Sequence, residues 1–111
     1  MEKLNILWTS GDKDTFLNMV AMYSKNAIKN SWWEKINILI WGGSTKLAAN
    51  DTQVLNEIKN LIEIGINIEA CKACADKINA SSVLENAGIS VRYTGIALTE
   101  YIKGKDHLLT V

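Results

Sequence analysis

Residues 68–78, IEACKACADKI, hold the only two cysteines of the chain, Cys71 and Cys74. At C-x-x-C spacing such a pair can form a redox disulfide, half a zinc site, a sulfur carrier, or two small buried side chains. The thiolate is the form that attacks sulfur, so the surroundings of each cysteine decide its use. An apolar run ends at Ala70 and a helical pattern starts at Lys72. Cys71 is therefore expected at a strand-to-helix junction, facing unpaired N–H groups and the positive end of the helix dipole. Both favour the thiolate. Lys72 adds a positive charge, while Glu69 and Asp76 act against it. Cys74 falls one turn further along the same helix face and gains less from the terminus. Cys71 is the expected nucleophile, and Cys74 the resolving or auxiliary thiol.

The elements that must position this pair follow from the apolar pattern. Short apolar runs cover residues 4–8, 36–41, 66–70, 89–93 and 107–111. The first two are nearly continuous Leu/Ile/Trp stretches, as in strands buried on both faces of a parallel sheet. Helical spacing fills residues 14–29 and 51–64, then 72–87 with a break near residues 79–82, then 97–103. Gly65 and Gly88 fall where a helix would end in a left-handed cap. Ser10-Gly11-Asp12 and Asn50-Asp51 fall where helices would start. The order β-α-β-α-β-α-β-α-β predicts one α/β domain over residues 1–111, with a parallel sheet between helix layers. Strand order does not follow from this pattern.

Ligands of open parallel sheets bind outside the carboxyl ends of the strands. The candidate rim is then Ser10, Gly11 and Asp12 after the first strand, and Gly42, Gly43 and Ser44 after the second. Lys72 beside the cysteines and Thr94 and Gly95 after the fourth strand complete it. The glycine turn is not a phosphate loop: the spacing G-x-x-x-x-G-K-[ST] is absent, and Lys46 follows the hydroxyl residues. It reads as a flexible rim loop, and Ser10-Gly11-Asp12 as a helix cap. Zinc needs four ligands, and the only histidine, His107, begins the last strand. No metal or cofactor is expected. A thioredoxin-like oxidoreductase would set its C-x-x-C after an earlier strand and place a cis-proline against it. This chain has no proline, and cis peptides are essentially confined to proline.

Composition narrows the partners. Lysine plus arginine equals aspartate plus glutamate, 12 each in 111 residues. Zero net charge gives no support to general nucleic-acid or anionic-membrane binding. No run approaches the length of a membrane span, and the N-terminus has no long apolar signal segment. A cytoplasmic location is expected, where a lone C-x-x-C is a poor structural staple. Four tryptophans stand out. Trp8 and Trp41 read as core, whereas the adjacent Trp32 and Trp33 cannot share one direction: either at least one makes a subunit contact, or both fold back over the core edge.

The stretch NILIWGGSTKLAANDTQVLNEIKNLIEIGINIEACKACADK, with ENAGISVRYTG and DHLLTV after it, resembles the DsrE/DsrF-like family over nearly the whole chain. A-C-K-A-C is its most specific part. The resemblance implies a three-layer α/β/α domain with a five-stranded, mostly parallel sheet. It implies a role in sulfur relay, with sulfane sulfur carried as a persulfide on a cysteine after the third strand, here Cys71, between donor and acceptor proteins. The second cysteine is found in only some members, so the resemblance leaves the role of Cys74 open. It also implies a homo-oligomer, a trimer or hexamer, with a dimer as the lesser form. The alternative is a non-catalytic oligomeric module in which Cys71 and Cys74 toggle between dithiol and disulfide.

Overall fold

The computed structural model describes residues 2–111. Five strands, β1 (Lys3–Trp8), β2 (Lys35–Ile40), β3 (Asn67–Cys71), β4 (Ser90–Arg92) and β5 (His107–Thr110), form one sheet in the order β4-β3-β2-β1-β5. Every pairing is parallel, so the mostly parallel sheet of the sequence reading is wholly parallel. The helices are α1 (Lys13–Thr15), running through a π-helical segment at Phe16–Val20 into α2 (Ala21–Lys29), then α3 (Gly43–Asn50), α4 (Thr52–Glu63), α5 (Lys72–Lys77), α6 (Ser81–Asn86) and α7 (Gly95–Lys103).

Topology fixes which face each helix covers. From β1 to β4 the chain always steps to the same side, and right-handed crossovers then put α1 to α6 on one face. The last connection runs back across the whole sheet to β5, which puts α7 alone on the other face. The side chains divide accordingly. Leu4, Ile6, Trp8, Ile36, Ile38, Ile40, Ile68 and Ala70 join Phe16, Val20, Val54, Ile58, Leu61 and Leu84 in the main core. Trp8 stacks on Phe16 with ring centroids 4.3 Å apart. The alternate residues Asn5, Asn37 and Asn67 lie in register on the α7 face, with Glu69 one step on from Asn67 on the same face. The first two strands are thus not apolar on both sides, as their composition suggested: each carries a buried asparagine on the face that one helix covers.

Caps and turns follow the sequence. Asp12 accepts from the Thr15 N–H at 2.9 Å, and Asp51 from the Val54 N–H at 3.0 Å. Gly65 and Gly88 hold φ of +100° and +95° where α4 and α6 end, a conformation that costs a side chain bearing Cβ. The break predicted near residues 79–82 separates α5 from α6, with Asn79 at φ +54°. No helical spacing announces α3. Gly42, at φ +68° and ψ −133°, turns the chain from β2 into that helix within one residue.

Candidate functional site

Cys71 is the last residue of β3 and the N-cap of α5, the junction expected from sequence. Its side chain caps no N–H and it is only 4% exposed. Cys74 is half-buried, and both thiols are free. The more accessible sulfur therefore belongs to the auxiliary cysteine, one turn outward, and the expected carrier is the inner of the two. Strand alternation puts Cys71 on the α7 face with Glu69.

On that face Cys71 has a neighbour that sequence reading missed. Arg92, the last residue of β4, is its register partner across the parallel ladder, so both point to the same side about 4.8 Å apart at Cα. The Arg92 Nε donates to Glu69 Oε1 at 2.6 Å, and Nη2 pairs with the same oxygen. Glu69 Oε2 accepts from Asn37 Nδ2 at 3.0 Å and from the Tyr101 hydroxyl at 3.2 Å. Asn37 in turn accepts at Oδ1 from Asn67 Nδ2 at 2.6 Å. A carboxylate is costly to bury without such partners. The hydrogen bond to Glu69, aided by its charge, holds the Arg92 guanidinium more firmly protonated than usual. Burial and the Glu69 charge raise the Tyr101 hydroxyl above the ordinary tyrosine range. The signal in the sequence was the odd-numbered polar series Asn5, Asn37, Asn67, Glu69 inside apolar strands.

The rim residues serve several purposes. Lys72 pairs with Asp76 one turn on, at 3.2 Å, and the Asp76 hydrogen bond raises its pKa. Asp76 is held below the usual carboxylate range by the Ser81 hydroxyl first and Lys72 second. Gly42, Gly43 and Ser44 are not a flexible loop: Gly43 starts α3, and Ser44 Oγ donates to the Trp8 carbonyl at 2.5 Å. Gly11 and Gly43 pack backbone to backbone, for a Cβ on Gly43 would come 3.2 Å from the Gly11 nitrogen and one on Gly11 3.3 Å from the Gly43 oxygen. Together they line a groove of about 410 Å³ with Lys46, Leu47, Asn50 and Asp51. That groove contains neither cysteine. Ser10 Oγ accepts from the Asp12 N–H at 3.1 Å, which makes the first rim turn a cap. Thr94 is fully buried before α7, and its hydroxyl has no partner among the described residues. Gly95 opens α7 with the Trp41 ring 4.0 Å from where its Cβ would be. Trp41 thus stands one residue beyond β2 and half-buried, not within a core strand. His107 starts β5 edge-on to Trp33, at 5.2 Å between ring centroids. Among the described residues no three of His, Cys, Asp and Glu converge as metal ligands, and no helix is long and apolar enough to cross a membrane.

The wholly parallel β4-β3-β2-β1-β5 sheet between its helices has a DsrE/DsrF-like fold. Two solved proteins of that fold superpose on the full chain. The ychN protein from E. coli does so with a TM-score of 0.74 at 13% identity, covering 100% of both chains. MTH1491 from Methanobacterium thermoautotrophicum, a protein of unknown function, does so with a TM-score of 0.79 at 12% identity, again over 100% of both. These likenesses show the fold. A third structure is related in sequence as well: the conserved protein of unknown function BT1422 from Bacteroides thetaiotaomicron, 50% identical over 99% of this chain and 95% of that one, with a TM-score of 0.97. The chain belongs to the family of that Bacteroides protein. No family model and no curated protein sequence matches it.

Proposed function

We propose that the protein is a cytoplasmic sulfur-relay carrier that takes sulfane sulfur onto Cys71 as a persulfide and passes it to a partner thiol. One observation carries the reading. Cys71 closes a central strand at the carboxyl rim, opens a helix, and stands in register with a guanidinium. The Cys71 thiolate attacks the outer sulfur of a donor persulfide. A new S–S bond forms at Cys71, the donor's S–S bond breaks, and the donor leaves as a thiolate. Delivery repeats the exchange with the acceptor thiolate, with no net oxidation. Cys74 offers a second exit. Its attack on the Cys71 sulfur makes the intramolecular disulfide and expels the carried sulfur as hydrosulfide. The sulfur is cargo, so the cycle needs no cofactor. The partners are donor and acceptor proteins, and the working form is a homo-oligomer.

The dithiol–disulfide toggle is the second reading, and the burial of Cys71 beside a more open Cys74 favours it. The two separate by intact-protein mass spectrometry after anaerobic exposure to a sulfane donor. Carriage predicts a gain of one sulfur atom that survives Cys74→Ser and disappears in Cys71→Ser. No gain in the wild type, with loss of two protons on mild oxidation, would leave the toggle standing and the carrier wrong.

A further inference from the structure

The half-exposed cation beside Cys71 has unused capacity. The Arg92 side chain is 53% exposed, whereas Glu69 beneath it is 4% exposed. Glu69 takes Nε and Nη2 of the guanidinium, and Nη1 has no partner among the described residues. Arg92 is opposite Cys71, and Glu69 is two residues before it on the same face. Arg92 thus lies about 4.8 Å from Cys71 at Cα, and the Glu69 position its guanidinium reaches is ~6.5 Å from Cys71 along β3. The guanidinium's orientation is fixed, because the carboxylate that holds it is itself held by Asn37 and Tyr101. A planar guanidinium with one free edge is suited to a carboxylate. The other cation near Cys71, Lys72, is engaged by Asp76 on the α5 surface.

We propose that Arg92 is the specificity-determining residue of the Cys71 site, and that it selects small sulfur compounds bearing a carboxylate close to the reacting sulfur. The proposal rests on the carrier reading for its chemistry and puts a low-molecular-weight persulfide in the place of the donor protein. The low exposure of Cys71 favours a small ligand over a flat protein surface. The persulfide's carboxylate pairs with Nη1 while its outer sulfur meets the Cys71 thiolate. The new S–S bond forms at Cys71, and the remainder leaves as a carboxylate-bearing thiolate. Glu69 acts through Arg92 as a positioning residue and touches no reacting atom.

Two alkylating agents of similar size test the recognition without any sulfur chemistry. In the full chain carrying Cys74→Ser, the rates of Cys71 alkylation by iodoacetate and by iodoacetamide are compared. Arg92→Gln should lower the iodoacetate-to-iodoacetamide ratio about fivefold. Arg92→Lys should keep only part of the ratio, since the charge stays but the fixed planar edge is lost, and Lys72→Gln should keep all of it. Should Arg92→Gln fail to fold, the ratio in the Cys74→Ser protein should still fall as salt is raised, since screening acts only on the charged reagent. A ratio unmoved by Arg92→Gln and by salt, or one that falls in Lys72→Gln instead, would overturn the proposal. The persulfides of 3-mercaptopropionate and 2-mercaptoethanol then serve as paired donors. Faster loading from the former, lost in Arg92→Gln, supports the proposal in full. A charge-dependent alkylation ratio with no sulfur uptake from either donor sinks the carrier reading and leaves anion recognition intact.

Discussion

Glu69 decides the character of the α7 face. It is a carboxylate, 3% exposed, in the middle of a strand, and all its bonds go to side chains from other elements: Asn37 of β2, Arg92 of β4 and Tyr101 of α7. Removing it takes a shared acceptor from three donors at once, of which Asn37 Nδ2 keeps Asn5 Oδ1 at 3.3 Å and the Tyr101 oxygen at 3.1 Å. Glu69→Ala should therefore destabilise the fold by about 2 kcal/mol, the cost of lost hydrogen bonds to a charged acceptor, since the half-exposed Arg92 can turn to solvent. Tyr101→Phe deletes one hydroxyl and should cost about 1 kcal/mol. Urea unfolding of the two variants measures both, and equal effects would mean that Glu69 is not the hub. The hub was legible only in part. The cysteine pair announced itself by residue type and spacing, because few residues do what a thiolate does. Glu69 was noticed merely as a charge opposing the Cys71 thiolate. Its importance comes from Arg92 and Tyr101, 23 and 32 residues away, and no local pattern reports contacts over such separations.

At the scale of elements, local signals were good where they rest on backbone chemistry. Each predicted strand forms, and Gly65, Gly88, Asp12 and Asp51 cap as expected. Two features escaped. The first is α3, eight residues whose start depends on a positive φ at Gly42 and on Ser44 bonding to the Trp8 carbonyl, both set by the neighbouring strand. The second is the π-helical segment at Phe16–Val20, which buries Val20, Ala21, Ser24 and Ala27 while Tyr23 packs at the core's edge and accepts from Trp33. A period of 3.6 does not foresee the residue that such a bulge inserts. The α4 cap gives a pH-dependent test. The Val54 N–H first, and Lys13 second, hold the Asp51 carboxyl below its ordinary value of 3.8. A carboxyl with a depressed folded pKa stabilises above its unfolded pKa, and the contribution fades as pH falls through the folded one. Asp51→Ala should melt lower than the wild type at pH 7 and at pH 5. The gap should narrow as pH drops below about 4. A gap that is constant down to pH 2, followed by circular dichroism, would show that the carboxylate charge is not what caps α4.

The whole molecule is lopsided. Six helical elements and a continuous core cover one face of the sheet, and α7 alone covers the other. A nine-residue helix is about 13–14 Å long and 10 Å wide with its side chains. Five strands at ~4.8 Å spacing extend about 19 Å from the first axis to the last. One such helix cannot cover that face, and Leu7, Leu98 and Leu108 remain half-buried on or above it. The outer surface of this layer is apolar as well: Tyr93, Ile96 and Ile102 are exposed, Ile96 by 73%. A second apolar group, Met19, Met22 and Trp32, lies on the other side of the molecule, around the end of α2. Trp33 does not add to it, because it turns inward and its indole N–H donates to the Tyr23 hydroxyl at 3.0 Å. Self-association is expected where burial is least complete, which is the α7 layer. Light scattering should therefore give the wild type a mass of three or six chains of 12.3 kDa. Ile96→Glu should reduce it towards one chain, because an unpaired charge is costly at the centre of an apolar contact. Trp32→Glu should leave the oligomer intact. The opposite pattern would move the contact to the α2 side and satisfy the expectation, drawn from the paired tryptophans, that one of them anchors a subunit. A wild-type mass of one chain would mean that α7 keeps its apolar surface for a different partner.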